Sequence, residues 1–261
     1  MDTAIEELQF VSQSENRVKA LIVLTETEPI TRDDLETRLD VSHRTVIRVV
    51  NTLTDRGYVQ ESDNGLRLTP FGAHLASRLD SFVADAEIAL EFRPLLEHGP
   101  PLLREMDLAV LEDAELVVAS ESKPFAILDR LLDLRAEATR FREVAPGVEQ
   151  KSLEQLAQRV RSDEEIDVEV IIPESASVAA ESQPKYREDH ATTLESDQVD
   201  IYVHPEPIRF AAGVVDDTAA IAVMRDGQPY AIAISDAPAM RTWVENVFEQ
   251  YRNEATLKTE I

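Results

Sequence analysis

The chain has 261 residues, 43% of them hydrophobic, with 51 Asp plus Glu against 26 Lys plus Arg and a formal net charge of −25. That apolar content excludes an acidic disordered tail, and the length predicts two domains with separate cores. With no cysteine there is no disulfide framework, no thiolate zinc site and no thiol nucleophile. No apolar run approaches bilayer length, and the start Met1-Asp2-Thr3-Ala4-Ile5-Glu6-Glu7 lacks a basic segment followed by an apolar core. A cytoplasmic protein with no membrane partner is therefore expected.

In chain order, a first helix is expected over about Thr3 to Thr25, its stripe supplied by Leu8, Val11, Val18, Leu21, Ile22 and Leu24. Pro29 stops it, and Thr31 is an N-cap for a second helix, with Asp34 three residues on and Leu35 and Leu39 facing inward. Ser42 is a second cap, opening a helix to about Arg56 whose inward residues are Val46, Val49, Val50 and Leu53, with Gly57 as its stop. The stretch Tyr58 to Thr69 reads as two short strands about an Asn64-Gly65 turn. Three helices and a hairpin predict a winged helix-turn-helix over residues 1–70.

With Val46, Val49, Val50 and Leu53 inside, the third helix leaves Ser42, His43, Arg44, Thr45, Arg48 and Asn51 outside. Arginine matches the acceptor edge of guanine, Ser, Thr and Asn reach bases or phosphates, and the helix N-terminus suits a phosphate. These six residues, with Arg67 on the wing, are the candidate DNA-binding set, and double-stranded DNA is the expected partner. The run from Leu35 to Val59 resembles archaeal winged-helix regulators of the ArsR/TrmB-like kind. A protein-interaction winged helix that docks on transcription machinery is the alternative, and the charge speaks for it. Residues 1 to 75 hold 8 Lys plus Arg against 13 Asp plus Glu, a net of −5, whereas DNA binders usually present a basic face. On the wing, Glu61 and Asp63 oppose phosphates and Arg67 alone offsets them.

Only five basic residues are lysines, and the carboxylates are spread along the whole chain. That pattern resembles cytosolic proteins of salt-in halophilic archaea, the alternative being an ordinary acidic mesophilic protein. In such a cytoplasm counterion release contributes little, so base contacts must supply more of the affinity.

Residues 71–98 are expected to form a linking and dimerisation segment built on a long helix from Pro70 to about Phe92, with Leu75, Leu79, Phe82, Ala86 and Ala89 recurring at helical spacing. The seam serves a homodimer or packs on the neighbouring domain; dimerisation is favoured because such regulators read paired half-sites. Arg93-Pro94 and Gly99-Pro100-Pro101 break the helix. Residues 99–261 then alternate: a strand over Glu115 to Ala119, helices over Pro124 to Arg140 and Gln150 to Arg161, and a strand over Ile166 to Ile172. A polar helical stretch over Ser175 to Leu194 precedes strands near Val199 to Val203, Ile208 to Val215, Ala219 to Arg225 and Pro229 to Ile234, and a last helix runs from Pro238 to Asn253. The fold class is α+β: a winged helix-turn-helix, a long linking helix and a C-terminal α/β domain with a mixed sheet.

The block Asp167 to Pro173, residues Ile208 to Ile234 and the closing Trp243 to Tyr251 resemble the effector domain of archaeal regulators related to methanogenesis filament regulators. Similar segments occur in the sensor domain of TrmB-type regulators, shaped like half of a phospholipase D. The resemblance implies a test for catalysis: a His nucleophile, a Lys two residues on and an Asp five after the Lys. Aligned on Val214-Val215-Asp216, Arg209 falls where the His belongs and Ala211 where the Lys belongs. Arginine is no nucleophile and alanine holds no phosphate. The five histidines show no metal spacing, and the seven glycines form no phosphate loop. No enzyme, cofactor or metal is therefore expected. A small-molecule effector is the expected ligand of this domain, with Tyr202, His204, Arg209 and Ser235, polar groups at predicted strand ends, as the candidate pocket; a surface or interface contact is the alternative for each.

Overall fold

The structure, a computed structural model, describes the backbone of residues 2–258 and the side chains of residues 3–258. Positions 1 and 259–261 of the two expected domains lie outside the described residues. The chain divides into two compact units, Met1–Glu87 and Ile88–Ile261.

The first unit contains α1 (Asp2–Ser12), α2 (Glu15–Glu26), α3 (Arg32–Leu39) and α4 (His43–Asp55), then a hairpin of β1 (Val59–Ser62) and β2 (Gly65–Leu68), then most of α5 (Pro70–Glu91). The single first helix expected over Thr3 to Thr25 is two helices. Ser14 takes an extended conformation between them, and the Arg17 guanidinium donates to the Phe10 carbonyl, one of those that α1 leaves unpaired at its end. The Thr31 cap forms as expected, its hydroxyl accepting from Asp34 N–H at 3.1 Å. Ser42 sits at the cap position of α4 but makes no capping bond; its hydroxyl pairs instead with that of Thr45 at 3.1 Å. Gly57, at φ +77°, ends α4, with Gly57 N–H donating to Thr54 and Tyr58 N–H to Leu53.

The hairpin turn lies one residue earlier than expected. Ser62 pairs with Gly65, so Asp63 and Asn64 form the turn and Gly65 begins β2. Ile30 adds a short third strand, exchanging two backbone hydrogen bonds with Leu66. Leu21, Leu24, Leu35, Val46, Val50, Leu53, Tyr58 and Leu66 form the core of this unit. Tyr58 is fully buried, donates to Glu7 at 2.9 Å, and has its pKa pushed up to about 12 by burial and then by the Glu7 carboxylate.

The helix expected from Pro70 to about Phe92 forms as α5, Pro70–Glu91, and the Arg93-Pro94 break starts the separate α6 (Arg93–His98) within the linking segment 71–98; the two units divide within α5. Phe92 and Leu95 belong to the core of the second unit. That unit continues through β3 (Glu115–Val118), α7 (Ala126–Arg135), β4 (Arg140–Val144), α8 (Gln150–Arg161), β5 (Asp167–Pro173), α9 (Glu174–Ser182) and α10 (Pro184–Leu194). It closes with β6 (Val199–His204), β7 (Phe210–Val215), β8 (Thr218–Arg225), β9 (Gln228–Ser235), α11 (Pro238–Glu254) and β10 (Thr256–Leu257). The strands form one eight-stranded mixed sheet in the order β10-β6-β5-β4-β7-β8-β9-β3. Within it β4, β5 and β6 are parallel and β7, β8 and β9 make an antiparallel meander.

Both faces of this sheet are covered. Along β8, Ala219, Ile221 and Val223 join one apolar cluster with Val244 and Phe248 of α11, while Ala220 and Ala222 join another with Ile127 of α7. Residues on both sides must then be apolar, which is why β7 to β9 read as near-continuous hydrophobic runs. Two sequence expectations change here. The helix expected over Pro124 to Arg140 ends at Arg135, and β4, which takes an inner place in the sheet, follows it. The polar stretch Ser175 to Leu194 splits at Pro184, which starts α10 because proline cannot donate within a helix. Among the described residues no helix is long and apolar enough to cross a membrane.

Gly72 in α5 packs on the wing junction, where a Cβ would stand 2.0 Å from the Tyr58 carbonyl oxygen; at Gly147 a Cβ meets nothing within 4 Å. Forcing a methyl into the first position costs about 1–3 kcal/mol or more. Gly72→Ala should therefore lower the melting temperature by about 4 °C or more, with Gly147→Ala unchanged in the same calorimetric scan.

Candidate nucleic-acid interface

Helix α4 buries Val46, Val49, Val50 and Leu53, and at 3.6 residues per turn Arg44, Arg48 and Asn51 fall on the opposite side. All three are exposed, as are Ser42 and His43; Thr45 is half-buried. Arg44, Arg48 and Asn51 of the sequence-predicted set therefore share one outward side of α4, with Ser42 at its cap and His43 and Thr45 on the flanks of its first turn. Arg67 lies on β2 opposite Gln60, exposed between the buried Leu66 and Leu68.

The cations of this region sort into two groups. Lys19 pairs with Glu15 at 2.6 Å, Arg32 with Glu61 at 2.7 Å, Arg38 with Glu26 at 3.7 Å and Arg56 with Glu7 at 2.5 Å. Arg17 is held by the Phe10 carbonyl and lies over the Phe10 ring, on which Arg56 also rests. Among the described residues of α1 to β2, Arg44, Arg48 and Arg67 are the arginines and lysines without such a partner. Arg56, just past the end of the same helix, is committed to α1.

His43 is less available than its position suggests. Its Nδ1 lies 2.8 Å from Glu36 Oε2, and Asp33 offers a carboxylate oxygen within 4.8 Å of both groups. The imidazole thus faces an acidic corner of α3.

One residue that sequence reasoning missed changes the wing. Arg32, the first residue of α3, donates through Nε to Glu61 Oε1 at 2.9 Å and through Nη2 to Glu61 Oε2 at 2.7 Å; Nη2 also lies 3.5 Å from Asn51 Oδ1. This two-pronged bond holds the Glu61 carboxyl below the usual glutamate range. Glu61 was expected to oppose phosphates; its charge is instead met inside the domain, and Asn51 is tied to the same arginine. Only the separation of 29 residues between Arg32 and Glu61 concealed this.

On α5, Leu75 and Phe82 are 40% and 68% exposed and lie on one side of the helix, while Leu79 packs against the core and Ala86 and Ala89 are half-buried. The expected seam is therefore mixed, with Leu75 and Phe82 as its outward part.

The four candidate pocket residues of the second unit do not converge. Tyr202 is buried, accepts from Arg252 at 2.6 Å and lies under its guanidinium. His204 is buried beside Tyr251 and bonds the backbone of Glu206. Ser235 is buried and accepts from Ala237 N–H at 3.0 Å. Arg209 is exposed. Strand order explains the dispersal: β6 and β7 are three strand positions apart, about 14 Å, and the antiparallel meander puts Ser235 at the other end of the sheet from Arg209. Asp216, the acidic residue of the phospholipase-like alignment, has φ +48° and accepts from Thr139 N–H, Thr139 Oγ1 and Arg140 N–H at 3.1, 3.1 and 2.9 Å, so it fastens β4 to the β7–β8 turn.

Residues 124–254, half of the chain, match the family described as the middle domain of the methanogenesis regulatory protein FilR1. Residues 5–91 match a second family, the HVO_A0261 N-terminal domain. No curated protein matches the sequence. Among solved structures, the archaeal chromatin protein TrmBL2 is 13% identical, with 97% of this chain and 98% of that one covered and a TM-score of 0.43. A MarR/EmrR family transcriptional regulator from Acinetobacter sp. ADP1 is 16% identical over 51% of this chain and 84% of its own, at a TM-score of 0.26. A polyphosphate kinase from Porphyromonas gingivalis is 10% identical over 61% and 28%, at 0.36.

The Arg32–Glu61 bond is directly measurable. In a carboxyl-detected NMR titration Glu61 should protonate at lower pH than an ordinary glutamate, and Arg32→Ala should return it to the ordinary range; an unchanged Glu61 in the variant would mean that Arg32 does not hold it.

Proposed function

The chain belongs to the family of the methanogenesis regulatory protein FilR1, whose middle domain it matches over residues 124–254, and from that membership we propose that it is a DNA-binding transcription regulator that reads a specific duplex sequence as a homodimer. The observation that carries the DNA-reading part is the division of cations just described. Among the described residues of α1 to β2, the arginines left without partners, Arg44, Arg48 and Arg67, stand on the helix and wing that a winged helix-turn-helix presents to DNA. Arg44 and Arg48, one turn apart, reach base edges in the major groove, where a bidentate bond to guanine is the commonest specific contact. Ser42 and Thr45, at the open N-terminus of α4, are placed for a phosphate, and Arg67 for the backbone beside the wing. Asn51 takes a lesser part, because Arg32 holds it, and His43 contributes only by leaving Glu36.

Paired half-sites require a dimer, and Leu75 and Phe82 supply an apolar surface on α5 for a second copy. In the second unit the departures at Arg209 and Ala211 from the phospholipase pattern, and the structural engagement of Asp216, support a sensing rather than a catalytic domain. A small-molecule effector acting there shifts the spacing of the two recognition helices. The acidic, lysine-poor composition supports action in a salt-rich cytoplasm.

Selection from a random duplex pool in molar KCl should recover an inverted repeat with half-sites about one DNA turn apart. The Arg44→Ala, Arg48→Ala variant should lose at least about tenfold in affinity, since each bidentate contact contributes about 1–3 kcal/mol. Absence of enrichment at every salt concentration would favour docking on transcription machinery instead. Phe82→Glu, at a residue 68% exposed, should leave the fold intact yet sediment as a monomer and bind the inverted repeat no better than a single half-site; a dimeric variant would place the contact elsewhere.

A further inference from the structure

One side of α5 is apolar and exposed, and the charges set into it name what covers it. At 3.6 residues per turn, Leu75, Arg78, Phe82 and Asp85 fall within about 80° of one another. That side lies about a quarter-turn round the helix from the one that Gly72, Ala76 and Leu79 turn to the core. All four residues are exposed, Leu75 by 40% and Phe82 by 68%. Their alternating separations of three and four residues are those of a seam between two helices.

The two charges on this side are unanswered within the chain. No acid stands three or four residues from Arg78 and no base three or four from Asp85, so the helix cannot pair either by itself, and among the described residues neither joins a more distant partner. Arg78 lies about 6 Å before Phe82 along the helix axis and Asp85 about 4.5 Å after it. A second α5 laid antiparallel about a two-fold axis at Phe82 therefore brings Asp85 of the partner subunit to within about 1.5 Å of the level of Arg78, and the symmetry repeats the contact on the other side. The two phenyl rings meet at the centre. A parallel pair would instead set Arg78 on the partner's Arg78 and Asp85 on the partner's Asp85, two like-charge contacts in place of two attractive ones.

The same arrangement has the right span. Pro70 lies about 18 Å from Phe82 along the axis, so the antiparallel pair holds the two starts of α5 about 36 Å apart. The wing joins α5 at that end, where Thr69 Oγ1 accepts from Gly72 N–H at 2.9 Å. Half-sites one DNA turn apart are separated by about 34–36 Å. Reciprocal charges and this spacing are both properties of a pair of identical helices. We infer that the second copy docks along α5 antiparallel, about a two-fold axis at Phe82, with reciprocal Arg78–Asp85 pairs fixing the register. The inference rests on the homodimer of the proposed function and gives it an orientation.

Sedimentation of the full chain without DNA tests it, in molar KCl, where charges act only near contact. Wild type should self-associate. Arg78→Asp and Asp85→Arg should each weaken association at least about tenfold, because the two-fold axis doubles every like-charge contact they create, and the double variant should recover it. An equimolar mixture of the two single variants should associate more tightly than either alone, since both contacts are then oppositely charged; that recovery also separates a broken interface from a broken fold. Single variants that associate like wild type would overturn the inference in favour of a parallel or unrelated pairing, and so would a mixture no tighter than its components. A monomeric wild type would overturn the homodimer and this inference together, while DNA reading by Arg44 and Arg48 would still stand or fall on the selection experiment. Charge-swapped dimers without DNA enrichment would uphold the α5 pairing and remove the regulator reading.

Discussion

With 26 arginines and lysines among 51 carboxylates, many cations are captured by a carboxylate of their own chain. Between α1 and β2, which cations stay free is decided by where the carboxylates are not. On α4 the outward residues between Arg44 and Asn51 include no acid, so neither Arg44 nor Arg48 has an intrahelical partner three or four residues away. On β2 the residue across from Arg67 is the neutral Gln60. The other pattern is seen at Arg32, Arg38 and Arg56, each of which joins an acid distant in sequence. The same constraint shapes the second unit, where Arg142 of β4 joins Glu169 at 2.7 Å and Glu249 at 2.6 Å.

That pairing explains what the sequence hid. β4 reads Arg-Phe-Arg-Glu-Val, three charged residues in five, and nothing in its pattern announces an inner strand. It is tolerable inside a sheet because each interior charge meets another: Arg142 with Glu169 on the adjacent β5 and Glu143 with Arg135 at the end of α7. The runs that were legible, β7 to β9, α4 and α11, are those whose burial follows from their own side chains. β4 depends on partners supplied by other elements, and periodicity carries no trace of them.

The two candidate sites differ in legibility for a related reason. The outward side of α4 follows from helix geometry once the inward residues are known, so Arg44, Arg48 and Asn51 could be placed without any tertiary information. The ligand set Tyr202, His204, Arg209 and Ser235 rested on strand ends, and the ends of strands come together only if the strands are neighbours. The order β6-β5-β4-β7-β8-β9 separates them.

An acidic domain and a polyanionic duplex are compatible once range is considered. In molar salt the screening length is about 3 Å, so carboxylates that do not touch the phosphates scarcely act on them, and the net charge of the domain stops being the relevant quantity. What remains are contact interactions: bidentate arginine bonds, hydroxyl and backbone donors, and expulsion of water. Under those conditions an internal bond such as Arg32 to Glu61 matters more than a surplus of lysines, because it removes one of the two wing carboxylates that oppose the backbone at contact and adds no diffuse charge for salt to screen. In dilute salt the same surface would face long-range repulsion from every acid on the domain. Its affinity would then fall less steeply with added salt than the slope of about one per phosphate contact of a basic DNA-binding domain, the opposing fields cancelling part of the counterion term.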